Sequence, residues 1–582
     1  MTANPVPLPA QGGTMPAGTD ALSWAQAPAS TRRRAADHVV DILVQQGIRT
    51  IFGLPGGAIS PVYDALMDHP EVRVVTCKHE TMAVFAAAAH ARATDGVGVV
   101  LVTSGPGVTN AVTGLASAYC DSLPVVLIAG EVQRAQFGRG ALQEGSPYGL
   151  DVRGMLSSVT KATYELTSPQ TVASLMSKAL ATARSGRRGP VFVSLPLDVA
   201  RQPVDHPRLA AQASAQFVVD APVLDEVTDL LAGAYRPLIL AGSGVRWGDG
   251  PTQLLRLAER GGIPVATTPK AKGVFPESHR LALGIYGHGG HASAQRYLAM
   301  GVDVLLAIGS GLGEAATNSW NELVHASRAF VQLDIDAGQI GKNYRVDYGL
   351  VGPADVLMQQ ILHRLPKLRP LTTVRGVERL EIPPPSPAPV DRLDGALALR
   401  ELQASLPDDT IYTVDIGDHM LLALHHLQLD RPDAFYFAGG LGSMGSSIGA
   451  ALGVKLAQPG RPVVAVCGDG TISMSGTEIL TARQNGLPVV YAALNDGRYG
   501  MVANGFQNAY GRGASFDLEP MDLAALAESL GALAITVRSP GAIAALDWPR
   551  LLAGDRPIVL NILVQNMKFG QFNDRIAERN GA

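Results

Sequence analysis

Several features are scarce in this sequence, and each scarcity excludes a class of protein. Only 3 of the 582 residues are cysteine, too few for a disulfide framework. Lys and Arg total 47 against 51 Asp and Glu, so the net charge of −4 lacks the basic excess that nucleic-acid binding needs. No apolar run reaches the roughly 18 residues of a membrane span. We therefore expect a globular protein whose partners include neither nucleic acid nor a membrane.

The three cysteines, Cys77, Cys120 and Cys467, all lie in apolar contexts and lack the spacing of a metal site. This pattern predicts buried thiols in a reducing compartment. Residues 1–34 have neither the positive start nor the apolar block of a secretory signal. Their Ala-, Pro- and Gly-rich composition instead predicts a disordered extension, and a transit peptide ending near the three arginines at 32–34 is the weaker alternative. Together these features predict a cytoplasmic location.

The remaining chain alternates short β-branched apolar runs with helical patterns. This alternation predicts an α/β fold with doubly wound parallel sheets, and the length is too great for one core. Polar or Pro-rich connectors divide the chain into three such domains. The predicted divisions are residues 35–200 (first domain), 215–365 (central domain), 366–390 (Pro-rich linker), 391–565 (third domain) and 566–582 (C-terminal tail).

Oxygen-bearing side chains follow two predicted strands of the third domain. The apolar run 463–467 ends in a Gly-Asp-Gly triplet centred on Asp469, and the run 487–494 ends in an Asn-Asp-Gly triplet that begins at Asn495. Open α/β sheets bind their ligands at the carboxyl ends of the strands. Carboxylate, amide and backbone carbonyl oxygens, together with phosphate oxygens, are ligands that suit Mg²⁺. The pattern therefore predicts a metal–diphosphate site.

A Gly-Asp-Gly triplet alone is a weak signal, because 64 residues are glycine. A second triplet is centred on Asp249, and the residue at the corresponding distance beyond it is Phe275, which cannot bind a metal. An Asn-Asp-Gly triplet alone would predict only a turn. The order strand, triplet, helix, strand and Asn resembles the diphosphate-binding motif of thiamin-diphosphate (ThDP) enzymes. This resemblance implies metal binding by Asp469, Asn495 and the carbonyl of Gly497.

Three short segments of the first domain are Gly-Leu-Pro-Gly-Gly at 53–57, Lys-His-Glu at 78–80 and Thr-Ser-Gly-Pro-Gly-Val-Thr-Asn at 103–110. In order and spacing they resemble the start of acetolactate synthase (acetohydroxyacid synthase) large subunits. The resemblance implies that Glu80 hydrogen-bonds the aminopyrimidine of ThDP and promotes loss of the thiazolium C2 proton. Taken alone, a carboxylate in a first helical turn would be explained by the helix dipole. Thr109 or Asn110 is a predicted N-cap of the following helix.

Two segments of the third domain extend this resemblance. The run 440–445 matches the family's Gly-Leu-Gly-x-Met-Gly, which implies that the Gly442 carbonyl accepts a bond from the 4′-amino group and that Met444 separates the two cofactor rings. Methionine in such a turn also suits plain core filling. His419, in the run 416–419, matches a position near the diphosphate, although a histidine at a helix start needs no ligand.

The resemblance therefore implies a pyrimidine-binding, a central and a diphosphate-binding domain. It assigns catalytic roles to Glu80 and to Gln143, which matches a glutamine lining the substrate pocket. The implied cofactor contacts are Gly56, Gly107, Asn110, Gly417, Asp418, His419, Gly442, Met444, Gly468, Gly470, Thr471 and Met501.

The activity implied is that of a ThDP- and Mg²⁺-dependent carboligase. It would decarboxylate a small 2-oxo acid, most simply pyruvate, and transfer the acyl-anion equivalent to a carbonyl acceptor. In this family Glu80 and the metal anchor come from different subunits, so a homodimer or homotetramer is implied. A regulatory subunit is left open.

Three departures from the family bear on substrate and flavin. Ala315 replaces an arginine that contacts substrate and flavin, so FAD is left open, although Lys161 keeps its family counterpart. Gly505 replaces a tryptophan that sets acceptor preference, which widens the acceptor pocket. The C-terminal tail lacks the family's closing sequence. A ThDP-dependent decarboxylase, C–C lyase or diketone hydrolase is therefore the alternative function. Retention of Glu80, Asp469 and Asn495 argues against a catalytically silent homologue.

Overall fold

The computed structural model describes residues 33–204, 220–366 and 391–566. The predicted N-terminal extension, Pro-rich linker and C-terminal tail lie outside the described residues, apart from one or two residues at their ends. Arg33 and Arg34, which the sequence analysis assigned to the extension, form a short strand. In the described part of the chain no helix combines the length and apolarity needed to cross a bilayer.

The first domain is built on a parallel sheet with helices on both faces. Its strands are β1 (Arg33–Arg34), β2 (Thr50–Gly53), β3 (Arg73–Thr76), β4 (Gly98–Val102), β5 (Val125–Glu131), β6 (Ala162–Glu165), β7 (Val191–Pro196) and β8 (Pro203–Val204). Its helices are α1 (Ala35–Gln45), α2 (Ser60–Leu66), α3 (Glu80–Thr94), α4 (Pro106–Cys120), α5 (Val152–Leu156), α6 (Val172–Arg184) and α7 (Leu197–Arg201). The main sheet has six strands in the order β3-β2-β4-β5-β7-β6, and β1 pairs separately with β8.

The central domain repeats this architecture. Its strands are β9 (Pro237–Ala241), β10 (Val265–Thr267), β11 (Ala282–Ile285), β12 (Val304–Ile308), β13 (Ala329–Asp334) and β14 (Tyr348–Val351). Its helices are α8 (Ala221–Ala232), α9 (Gly250–Gly261), α10 (Ala292–Ala299), α11 (Glu314–Thr317) and α12 (Ala354–Arg364). The strand order is β11-β10-β9-β12-β13-β14, and every pair is parallel.

The third domain has a third parallel sheet. Its strands are β15 (Ile411–Val414), β16 (Phe435–Phe437), β17 (Val463–Gly468), β18 (Val490–Asn495), β19 (Leu533–Val537) and β20 (Ile558–Leu563). Its helices are α13 (Gly395–Ser405), α14 (Asp418–His426), α15 (Ser446–Ala457), α16 (Asp469–Ser475), α17 (Ile479–Gln484), α18 (Gly500–Tyr510), α19 (Leu523–Ser529) and α20 (Trp548–Leu552). The order β16-β15-β17-β18-β20-β19 places β17 and β18 side by side at the centre. The predicted α/β class with three doubly wound sheets is confirmed.

The first and third domains meet through α3 and α15. Two glycines of α15 allow the helix backbones to approach closely: a Cβ at Gly449 would lie 2.8 Å from Cβ of Phe85, and one at Gly453 would overlap the carbonyl oxygen of Ala86. The side chains of α3 that face α15 are therefore those of Met82, Phe85 and their helical neighbours. One hydrophobic core runs through both domains as a result.

Two local predictions are corrected by the structure. Helix α4 begins at Pro106, with Gly105 as its N-cap, and not at the predicted Thr109 or Asn110. Proline fits the first helical turn, because the N–H that it lacks would have no partner inside the helix. Cys120 is half-buried at the end of α4, whereas Cys77 and Cys467 are buried as predicted.

Candidate active site

The ends of β17 and β18 are joined by a buried carboxylate. Gly468 in β17 lies opposite Leu494 in β18, so the residues that follow the two strands are neighbours. Asp469 is the first residue of α16. Its Oδ1 accepts the N–H of Gly470 at 3.0 Å, and its Oδ2 accepts the N–H of Gly497 at 2.9 Å. The two triplets predicted to meet at this sheet edge therefore contact each other.

Asn495 is oriented by a partner on the next strand. Its Nδ2 donates to Oδ1 of Asn561 on β20 at 3.0 Å, which leaves the Asn495 oxygen available as a ligand. Gly497 has a φ of +77°, a conformation that glycine adopts without cost. Its carbonyl accepts the N–H of Leu518 at 2.8 Å and keeps a second lone pair.

The charges at this edge fit a cation. Burial raises the pKa of Asp469. Burial and the neighbouring Asp469 raise the pKa of Asp496 to about 7, and burial with Asp496 does the same for Asp418. Crowded buried carboxylates are relieved by a bound divalent ion. Within the described ranges there is no group of three or more His, Cys, Asp and Glu side chains that could hold a metal ion.

Two buried polar groups of the described residues, in the helices that follow the neighbouring strands β15 and β17, have no hydrogen-bond partner. Among the described residues, Nε2 of His419 and Oγ1 of Thr471 are buried and have no hydrogen-bond partner. Burial lowers the pKa of His419 to about 4, so its imidazole is neutral and can donate one N–H. A Cβ at Gly417 would lie 2.5 Å from Cε1 of His419, and the ring fills that space instead. A phosphate group would satisfy these donors and the N-terminal end of α14.

Met444 stands over the same sheet edge. A Cβ at Gly470 would lie 3.5 Å from Cε of Met444 and 2.8 Å from the ring of Tyr499. The loop before α15 is held by Asp415, whose carboxylate accepts the N–H groups of Gly445 and Ser447 at 3.0 and 2.9 Å. Asp415 was missed in the sequence analysis, although its place at the end of β15 was a usable signal. The predicted contact Gly442 has a φ of +73° in the same loop, and Met501 packs partly into the third-domain core.

The first-domain residues form a second group. Glu80 is the first residue of α3, is 7% exposed, and accepts the Nδ2–H of Asn110 on α4 at 3.0 Å. A Cβ at Gly56 would overlap the side chain of Thr103, and one at Gly107 would lie 3.0 Å from Cγ2 of Thr103. The structure therefore gathers Gly56, Gly107, Asn110 and Glu80 at the carboxyl end of the first sheet.

Gln143 lies beside the turn before α4, whereas Lys161 lies at the C-terminal end of α6. Gln143 is exposed and packs on the turn before α4, where a Cβ at Gly105 would lie 3.0 Å from Cβ of Gln143. The Nζ of Lys161 donates to the carbonyls of Thr182 and Ser185 at 2.6 Å each, at the C-terminal end of α6. Lys161 therefore caps a helix end in this structure.

The three domains also enclose a cavity of about 940 Å³. It is lined by cationic side chains from the first and central domains, including those of Arg92, Arg246 and Lys270. Ala315, which stands where the family has an arginine, also lines it.

Comparison with protein families extends these observations to the whole chain. Three family profiles match: "Thiamine pyrophosphate enzyme, N-terminal TPP binding domain" over residues 33–150, "Thiamine pyrophosphate enzyme, central domain" over 224–361, and "Thiamine pyrophosphate enzyme, C-terminal TPP binding domain" over 415–562. Thiamine pyrophosphate is thiamin diphosphate. The N-terminal and C-terminal profiles contain the Glu80 group and the Asp469 group respectively.

Several curated relatives align with nearly the full length. A probable acetolactate synthase large subunit of Methanocaldococcus jannaschii is 34% identical over 91% of this chain and 92% of its own length. The chain belongs to the acetolactate synthase large-subunit family of thiamine pyrophosphate enzymes. Two other members are acetolactate synthase large subunits from Corynebacterium glutamicum (32% identical, 94% of this chain, 90% of the relative) and Escherichia coli K12 (isozyme 1; 31%, 88% and 93%). Family membership confirms the resemblance drawn from the motifs.

Proposed function

We propose that this family member is a ThDP- and Mg²⁺-dependent carboligase that decarboxylates a 2-oxo acid, most simply pyruvate, and transfers the acyl-anion equivalent to a carbonyl acceptor. The observation that carries the proposal is the bond from the Gly497 N–H to Asp469 at 2.9 Å. It brings the ends of two neighbouring strands to one point at the edge where α/β sheets bind ligands. The relatives named acetolactate synthase and the two TPP-binding profiles support the same reading.

In this proposal Asp469, the side-chain oxygen of Asn495 and the carbonyl of Gly497 hold Mg²⁺. The bound ion would neutralise charge on the phosphate groups of the cofactor. His419, Thr471 and the N-terminal end of α14 bind the diphosphate.

ThDP, when bound, supplies a thiazolium carbon that acts as nucleophile and electron sink. Glu80 holds a proton at the aminopyrimidine ring nitrogen, and Asn110 orients the Glu80 carboxylate for this role. Met444 and the Gly442 carbonyl position the two rings. Gln143 faces the substrate.

The direction of Glu80 supports an active site between two copies of the chain. The face of α3 that packs on α15 carries Met82 and Phe85, whereas Glu80 bonds Asn110 on α4. We propose that Glu80 serves a cofactor held by the third domain of a second copy, as in a homodimer or homotetramer. The relatives are named large subunits, which implies a smaller partner subunit. We propose that this chain also binds a smaller, regulatory subunit. Its free thiols suit the proposed cytoplasmic location.

The three-domain cavity is where flavin would bind. Its volume, its half-buried Arg92 and Arg246 and its glycine turns suit a dinucleotide diphosphate. Ala315 removes one guanidinium group from the same cavity. The visible absorption spectrum of the purified protein decides whether FAD is present.

The absence of the family's tryptophan at Gly505 supports a second candidate function, that of a decarboxylase, C–C lyase or diketone hydrolase. Gly505 is half-buried in α18, one residue after the buried Asn504. Without the family's tryptophan, the pocket has space for an acceptor bulkier than pyruvate. If a proton or water takes the acceptor's place, the enzyme is a decarboxylase, C–C lyase or diketone hydrolase.

The test incubates the purified protein with ThDP, Mg²⁺ and pyruvate against a panel of aldehydes, ketones and diketones, and identifies products by mass. A ligated product supports the carboligase, and release of aldehyde or acid alone supports the alternative. Asp469→Asn should abolish Mg²⁺-dependent ThDP binding. Asp249→Asn, in the chain's other Gly-Asp-Gly triplet, is the matched control and should leave that binding unchanged. Absence of both CO₂ release and ligation across the panel would overturn the proposal.

A further inference from the structure

A buried acid at the end of β5 has no part in the proposed chemistry. Glu131 is 2% exposed, and burial raises its pKa. Its Oε1 accepts the N–H of Val132 at 2.8 Å and the N–H of Gly145 at 3.1 Å. A Cβ at Gly145 would lie 2.7 Å from the other oxygen, Oε2. The loop between β5 and α5, residues 132–151, is therefore attached to the Glu131 carboxylate through the backbone at Val132 and Gly145.

A second carboxylate holds the same loop from within. Glu144 accepts the N–H of Gly138 at 2.6 Å and the hydroxyl of Ser146 at 2.5 Å. A Cβ at Gly149 would lie 2.9 Å from the Glu144 carbonyl oxygen. Glu131 thus fixes the loop to the sheet, and Glu144 fixes its internal shape.

Gln143 lies between these two attachments in a strained conformation. Its φ is +63°, and the N–H of Glu144 bonds the carbonyl of Ala141 at 3.2 Å across it. A left-handed conformation is unfavourable for a residue other than glycine. Such strain persists only where the surroundings impose it, and it is common at functional sites. The backbone of Gln143 packs on Gly105, in the turn that leads to Asn110 and Glu80.

We propose that Glu131 is a positioning residue, which sets Gln143 against the Gly105 turn so that its amide faces the substrate. The inference rests on the proposed function, since it assigns Gln143 to the substrate pocket. An apolar side chain at the end of β5 would bury more favourably than a carboxylate if packing alone were required. The carboxylate is needed because two backbone N–H groups must be satisfied where the loop leaves the sheet.

The test combines a loop measurement with kinetics in the full-length protein. Glu131→Ala removes both hydrogen bonds, and Glu131→Gln keeps a neutral acceptor of the same shape. Glu165→Ala is the matched control, because Glu165 ends β6 of the same sheet and pairs with Arg153 at 3.0 Å. Hydrogen–deuterium exchange of residues 138–150 should accelerate about tenfold in Glu131→Ala, as expected for a loop that opens more often. It should be nearly unchanged in the other two variants.

Kinetics then separate positioning from general destabilisation. Glu131→Ala should raise the KM for the 2-oxo acid about tenfold while the affinity for Mg²⁺ and ThDP stays unchanged, and Glu131→Gln should restore most of the loss. In a double-mutant cycle, the KM of the variant that combines Glu131→Ala with Gln143→Ala should be close to that of Gln143→Ala alone. The reason is that Glu131 is proposed to act on the substrate only through the position of Gln143.

Additive effects, or an unchanged exchange rate of the loop in Glu131→Ala, would overturn the inference. Failure of the wild-type protein to turn over any substrate would instead count against the proposed function. The exchange measurement tests the loop attachment without substrate, so the two failures are distinguishable.

Discussion

The hydrogen bond between Asn495 and Asn561 gives the sharpest test of the metal site. Asn561 is 8% exposed on β20, and its Oδ1 accepts the Nδ2–H of Asn495 at 3.0 Å. Asn561→Leu keeps the size of the side chain but removes the acceptor. The Asn495 amide is then free to turn and present its NH₂ group to the cation in place of its oxygen.

The size of the effect follows from the kind of bond that is lost. A hydrogen bond between two neutral amides contributes about 0.5–1.5 kcal/mol net. Loss of a group that orients a metal ligand typically weakens metal binding by about 10–100-fold, or roughly 1.4–2.8 kcal/mol. We therefore expect the Mg²⁺ concentration that half-saturates ThDP binding, measured by titration calorimetry, to rise by at least about tenfold.

Asn561→Asp is the matched control for this variant. A carboxylate can only accept hydrogen bonds, so it still orients the Asn495 amide correctly. Its Mg²⁺ affinity should equal or exceed that of the unchanged protein. If Asn561→Leu binds Mg²⁺ as tightly as the unchanged protein, then Asn495 does not bind the metal as proposed.

Two other predictions concern the proton at the cofactor and the acid stability of the contact between the central and third domains, where Nε2 of His291 lies 3.0 Å from the carbonyl oxygen of His425. Glu80→Gln should slow deuterium exchange at the thiazolium C2 of bound ThDP by about 10²-fold or more, because a positioned proton-transfer group is lost; Mg²⁺–ThDP affinity should stay the same, and unchanged exchange would refute the role. Burial lowers the pKa of His291 and of His425, and lowers that of His426 to about 3. Because these pKa values lie below the unfolded value of about 6.5, the unfolded chain binds more protons under that pH. Each of these histidines should therefore lower the resistance to urea as the pH drops below about 6.5, by up to about 1.4 kcal/mol per pH unit, whereas Asp418 and Asp496, with pKa values raised to about 7, contribute in the opposite direction. The test is therefore a comparison at each pH: His426→Gln should gain resistance relative to the unchanged protein as the pH falls below about 6.5, and a difference that does not vary with pH would contradict the assignment.

The residues that carry local signals were predictable from the sequence. Asp469 and Asn495 follow short apolar runs that predict buried strands, and the ends of neighbouring parallel strands meet at one edge. Met444 was expected near that edge, and the structure places it beside Gly470. The roles assigned to these residues stay predictions until ligands are bound.

The supporting residues could not be predicted in the same way. Asn561 contacts Asn495 because β20 lies next to β18 in the sheet. No local sequence pattern predicts this order of the strands. Glu131 follows an apolar strand, but its partner Gly145 is set by the path of a loop. Edge strands such as β6 and β14 also escaped prediction, because their half-exposed residues lack a continuous apolar run.

The glycine contact between α15 and α3 has a consequence for engineered chimeras of this family. A single added methyl at Gly453 would strike the backbone of Ala86, so neither helix tolerates bulk introduced on one side alone. Grafting a third domain from a relative therefore requires transplanting the matching first-domain helix as well. An exchange of the central domain alone, with both breakpoints between α3 and α15, would keep the two helices from one parent, whereas a single breakpoint there would separate the pair and should yield misassembled hybrids.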